Sequence, residues 1–235
     1  MLTRQHMFCQ NFQKSELKKE IAYRKMAIDV KSNKEEFIRL LKSTEREGVD
    51  EVIEELESLG FFEAPASSTQ HLNEEGGLVQ HSLYVCKAAL MLREQMAKFE
   101  DGLDKEVPED RVIIASLLHD VCKSDIYFRT VKKRKTSIGT WEDCEGYKIS
   151  YKNFPMGHGE KSVIMLMGMG LAMYDDEMLA IRWHMGAWDL AMQSSEACKN
   201  IDVARKLYPL CTLVQCADTL AAGIMERKSD AADDF

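Results

Sequence analysis

Proline breaks this chain at only four of 235 positions, and the stretches between are rich in Leu, Met, Ala, Glu and Lys. Those residues lose little side-chain freedom in a helix, whereas proline disfavours one most strongly. The chain is therefore predicted to be helical almost throughout. Residues 13–29 and 33–59 read as polar, charged helices with an apolar stripe (Phe37, Leu40, Leu41, then Val52, Ile53, Leu56, Leu59), closed by Gly60 as a C-cap. The Pro-, Ser-, Asn- and Gly-rich stretch FFEAPASSTQHLNEEGG reads as an ordered loop. Helical patterns follow over 78–99, 109–122, 158–171, 175–187 and 198–226. The segment 129–152 differs: a basic VKKRK run precedes Trp141, Tyr147, Ile149 and Tyr151 in near-alternation, which predicts a β-hairpin inserted among helices. The expected fold is an all-α helical bundle with that small hairpin. Residues 1–60 form an N-terminal helical extension, 61–228 the main domain and 229–235 a frayed acidic tail.

A net charge of −8 argues against a general nucleic-acid surface, which needs a basic face. A small anionic substrate in a local basic pocket remains compatible with it. The seven cysteines, at 9, 86, 122, 144, 198, 211 and 216, contain no CxxC pair and read as reduced thiols. The N-terminus lacks an apolar signal core, and the longest apolar run, Val163 to Tyr174, is too short to span a bilayer. A cytoplasmic chain with no membrane partner is expected; its oligomeric state is open.

Four histidines sit in unusual peptides. His81 follows Gly76-Gly77-Leu78-Val79-Gln80, and His119 ends the run VIIASLL and is followed at once by Asp120, with Lys123 one turn on. His158 lies in GHGEKS, His184 in RWHMGAWD, and Asp218 in the apolar helix QCADTLAA. Each alone reads as an ordinary hydrogen-bonded residue. Together they strain that reading, because a carboxylate in an apolar helix is costly to bury unpaired and a metal ion removes the cost. Imidazoles and carboxylates from separate helices are good ligands for divalent transition metals in a bundle core. His119 and Asp120 would point about 100° apart on a helix, so both reach one cluster only at a helix end or distortion.

The series His81, His119-Asp120, His158, His184 and Asp218 resembles the H…HD…H…H…D signature of the HD (His-Asp) superfamily of metal-dependent phosphohydrolases, over about residues 70–226. HDxxK at the centre, GHGEKS at the third ligand and HxxxWD at the fourth fit as well. The two intervening histidines resemble the two-metal branch. The resemblance implies two divalent transition metal ions (Fe, Mn, Co, Ni or Zn), with Asp120 bridging. His81 and Asp218 would complete one ion's shell, and His158 and His184 the other's. A metal-bridging hydroxide would attack a nucleotide or other small phosphate ester, as a phosphomonoesterase or phosphodiesterase, with Lys123 reaching the phosphate or leaving group. Tyr127 and Lys161 are further candidate substrate contacts, and Asp189 is a candidate for orienting a histidine. Trp183 and Trp188 read as aromatic core. The GYP element of cyclic di-GMP phosphodiesterases is missing, since LAMQSSEACK follows HMGAWD. The ligand set would also serve a mixed-valent di-iron oxygenase, and an HD fold kept as a non-catalytic ligand-sensing module is the third reading.

Overall fold

The computed structural model describes residues 28–69, 72–136, 139–188 and 194–226. The helix expected over 13–29 therefore lies almost wholly outside the described residues, as do the tail and Asp189. Helices α1 (Val30–Lys42) and α2 (Val49–Ser58) precede the long α3 (Gly77–Met96), a single turn α4 (Leu103–Glu106) and α5 (Glu109–Leu118). The short α6 (Lys123–Ile126) leads into β1 (Tyr127–Lys135) and β2 (Trp141–Ile149), an antiparallel pair in register from Tyr127↔Ile149 to Lys135↔Trp141. Then come α7 (His158–Gly168), α8 (Asp175–Trp183), a 3-10 turn at Gly186–Trp188, α9 (Ser195–Leu207), α10 (Pro209–Leu220) and a π-helical turn at Ala221–Met225. The helical bundle with an inserted hairpin is as expected.

The core is built on α3, α5, α8 and α10, with α7 laid on α8 and α1 covering α3 and α5. The apolar side chains of α5 from Val112 to Leu118 are buried almost all round, as befits a helix at the centre of a bundle. Among the described residues, no single helix is long and apolar enough to cross a membrane.

Several boundaries differ from expectation. The 33–59 pattern is two helices, parted at Ser43–Gly48. Gly48 has φ +88°, and a Cβ there would stand 2.2 Å from the Gly170 carbonyl oxygen, so only glycine fits the approach. That break carries Arg46, whose guanidinium reaches the Ala172 carbonyl (3.0 Å), Glu177 (2.8 Å) and Asp110 (2.7 Å). Gly60 does end α2: its N–H bonds Glu57 and the Phe61 N–H bonds Leu56, the paired closure of a Schellman motif. The 198–226 pattern is also broken. Pro209 starts α10 after a bend of 106°, because its ring and missing N–H cannot continue α9. Apolar spacing runs on across the break, which hides it from periodicity. Trp183 is buried as expected, but Trp188 is 86% exposed and belongs to the surface, at the end of the 3-10 turn.

Glu177 is fully buried and Arg46 nearly so. Arg46→Ala strands that carboxylate, and removing one partner of a buried pair typically costs about 3–5 kcal/mol. Urea unfolding of the variant is expected to show a loss of that size with an unchanged m-value.

Candidate metal centre

Helix α5 stops at Leu118, and residues 119–122 form a turn before α6. That helix end lets the adjacent His119 and Asp120 face one cluster. Asp120 is buried at 1% exposure, and its two oxygens face different partners. Oδ2 meets His119 Nε2 at 3.2 Å, His81 Nε2 at 3.5 Å and Lys123 Nζ at 2.5 Å. Oδ1 meets His158 Nε2, and His184 Nε2 at 3.5 Å. Asp218, from α10, adds its Oδ1 3.3 Å from His81 Nε2. All six expected ligands converge. Two groupings place one donor atom per residue within 4.8 Å of one another: His81, His119 and Asp218, and His119, Asp120 and His184.

The imidazoles are oriented from behind. His119 Nδ1 donates to the Ser116 carbonyl at 2.8 Å, and His184 Nδ1 donates to the Ile181 carbonyl at 2.7 Å. A carbonyl only accepts, so each ring carries a proton on Nδ1 and turns Nε2 inward. His184 Nε2 is buried with no hydrogen bond of ordinary geometry; burial would lower the His184 pKa, but Asp120, 3.5 Å away, raises it. A cation between that nitrogen and the carboxylate, proton or metal, is favoured. Nitrogen and carboxylate donors of this kind suit divalent transition metals.

Charge is strongly coupled here. Burial would lower the His81 pKa, but Asp120, Asp218 and Glu226 outweigh it and hold it well above the ordinary histidine value. Burial would raise both aspartates; Lys123, His119 and His158 hold Asp120 well below the carboxylate range, and His81 and His119 do the same for Asp218. Burial keeps His119 and His158 below the usual value. Lys123 resists its own burial through Asp120 and stays a firm ammonium.

The glycines around the ligands have packing reasons. A Cβ on Gly77 would lie 2.0 Å from the Leu72 carbonyl oxygen, so the start of α3 can close against the preceding loop. A Cβ on Gly159 would lie 2.4 Å from the Arg182 carbonyl oxygen. Gly159 thus lets α7 approach the backbone of α8, which brings the His158 and His184 rings to 5.2 Å.

A family model for the HD domain matches residues 78–223. The chain belongs to the HD domain family. A 94-residue stretch is 35% identical to the dihydroneopterin 2',3'-cyclic phosphate phosphodiesterase of Methanocaldococcus jannaschii. That match spans 40% of this chain and 34% of the relative's length. No solved structure matches the chain. HD domains bind divalent metals, and the clustered His and Asp donors here provide for that.

Of the expected substrate contacts, Tyr127 lies close to Lys123 and Asp120, within the range of their charges. Lys161 departs from expectation. It is buried and committed to Asp125 and to the Asn153 carbonyl (2.7 Å), so it anchors the segment after β2 and is not a free cation. Sequence reading missed two residues: Asp125, which holds Lys161, and Glu226, whose Oε1 lies 2.7 Å from His81 Nδ1. No local pattern marks either, because their partners are 36 and 145 residues away.

Gly159→Ala forces α7 off α8 at an overpacking cost of about 1–3 kcal/mol, and metal affinity measured by chelator competition is expected to fall with it. For wild-type protein, affinity should keep rising with pH beyond the ordinary histidine range. The raised pKa means that His81 keeps its proton there, and a metal must displace it. The same competition assay over a pH series checks the sign.

Proposed function

We propose that this chain is a two-metal phosphohydrolase acting on a nucleotide-like phosphate ester. One observation carries the reading: Asp120 divides its carboxylate, with Oδ2 toward His81 and His119 and Oδ1 toward His158 and His184. A single ion would not need a carboxylate shared between two sets of imidazoles. In this assignment His81, His119, Asp218 and Asp120 Oδ2 hold one ion, and His158, His184 and Asp120 Oδ1 hold the other. Bound Mn, Fe, Co, Ni or Zn would supply a hydroxide nucleophile at neutral pH and neutralise the phosphate oxygens.

The protein's own groups do the rest. Asp120 fixes the spacing of the two ligand sets. Lys123, a buried ammonium held by Asp120, is assigned to the phosphate oxygens that enter beside that carboxylate, and Tyr127 stands within range of its charge. The non-phosphate part of the substrate is assigned to a cavity of about 440 Å³ lined by Glu75, Arg129, Val131, Glu145 and Tyr147. Small-molecule sites of about 300–1,000 Å³ are typical. Tyr127, Arg129 and Val131 alternate onto one face of β1, which is the support for assigning the rest of the substrate to that cavity. The relative's name supports phosphodiester chemistry and makes 2',3'-cyclic phosphates the first substrates to try.

Metal-stripped protein is expected to be inert, and protein reloaded with each metal in turn to hydrolyse members of a phosphomonoester and phosphodiester panel. Asp120→Asn removes the shared charge and should cut kcat by about a thousandfold, several kcal/mol of lost charge stabilisation, while circular dichroism stays native. A folded, metal-replete wild type that leaves the whole panel intact would overturn the assignment.

A further inference from the structure

We propose that Glu226 is a positioning residue for this centre, holding His81 in its ligand pose from outside the ring of ligands. The proposal rests on the reading of His81 as a metal ligand. His81 is gripped at both ring nitrogens by carboxylates of one helical run: Asp218 Oδ1 lies 3.3 Å from Nε2, and Glu226 Oε1 lies 2.7 Å from Nδ1. The Glu226 side chain is fully buried, and it stands three residues past the end of the matched domain at 223.

In a regular α-helix residues eight apart face directions about 80° apart around the axis. The π-turn at Ala221–Met225 changes that facing. It closes with the Glu226 N–H on the Ala221 carbonyl at 3.0 Å, a five-residue step that widens the turn and re-aims the Glu226 side chain. Such single π-turns are rare and concentrate at functional sites. The turn packs directly on α3, the helix that carries His81.

The chemistry is set by the partner. A carboxylate accepts the Nδ1 proton, which fixes the ring orientation, leaves Nε2 as the donor lone pair and strengthens it as a ligand. His119 and His184 receive the same service from backbone carbonyls. On this helix a side chain performs it.

Glu226→Ala and Glu226→Gln separate this role from bulk stability. Chelator-competition titrations with Mn or Co are expected to show the alanine variant about 10–100-fold weaker for the ion assigned to His81 and Asp218, with the other ion retained. The glutamine variant, whose Oε1 still accepts from Nδ1, should recover most of that affinity. Wild-type affinity for both ions in the alanine variant overturns the proposal, as does an equal loss at both. Should the alanine variant fail to fold, Glu226→Met fills a similar volume without an acceptor and carries the same expectation. Crystals of the metal-free proteins give a second readout: His81 keeps its pose in wild type and Glu226→Gln, and turns or splits in the variants lacking an acceptor. An unchanged ring there also overturns it. This arm reports on Glu226 even where wild type binds no metal, which would sink the metal reading and not the positioning role.

Discussion

One buried carboxylate organises this molecule. Asp120 is faced by four imidazoles and an ammonium drawn from α3, α5, α6, α7 and α8 or their ends. Removing a carboxylate from water without partners costs several kcal/mol, so Asp120 can exist at this depth only if those elements close around it together. The helix stop after Leu118 and the glycine-permitted close approach of α7 to α8 bring donors to one point, and the π-turn after α10 brings Glu226 behind one of them. Departures from ideal backbone at a site, and regular helix elsewhere, are what a functional centre in an otherwise consistent fold is expected to show.

The peripheral clamp at Arg46 belongs to the same economy of charge. It joins the α1–α2 break to Asp110 at the start of α5 and Glu177 at the start of α8. Two of the helices that carry ligands at one end are therefore tied together at the other. Tyr174 lies beneath both Arg46 and Arg111, whose guanidinium carbons are 4.6 and 4.1 Å from its ring centre, a cation–π arrangement that keeps the cluster compact.

Much of this was legible in the residues. Helical class follows from scarce proline and helical spacing, the hairpin from alternation around Tyr147 and Ile149, and the six donors from four histidines and two aspartates whose order resembles the H…HD…H…H…D signature. The features that stayed hidden have physical causes. The Pro209 bend is masked because apolar spacing continues through it. The break at Gly48 depends on Gly170, more than a hundred residues away. Lys161 looks available on its helix until Asp125 and Asn153 fold back upon it. Glu226 is invisible to any reading at α-helical period, because the π-turn that aims it changes the period itself.

The hairpin sits between Asp120 and His158, dividing the ligand series in the chain, yet its ends lie side by side at the Tyr127↔Ile149 pair. Paired residues of antiparallel strands stand only about 4.5–5.5 Å apart, so the insertion leaves and re-enters the bundle through one narrow gate. Its ladder can therefore grow, shrink or change its face with little displacement of either histidine set. The fold thus separates the fixed histidine and aspartate cluster from a hairpin that can vary beside it without rebuilding that cluster.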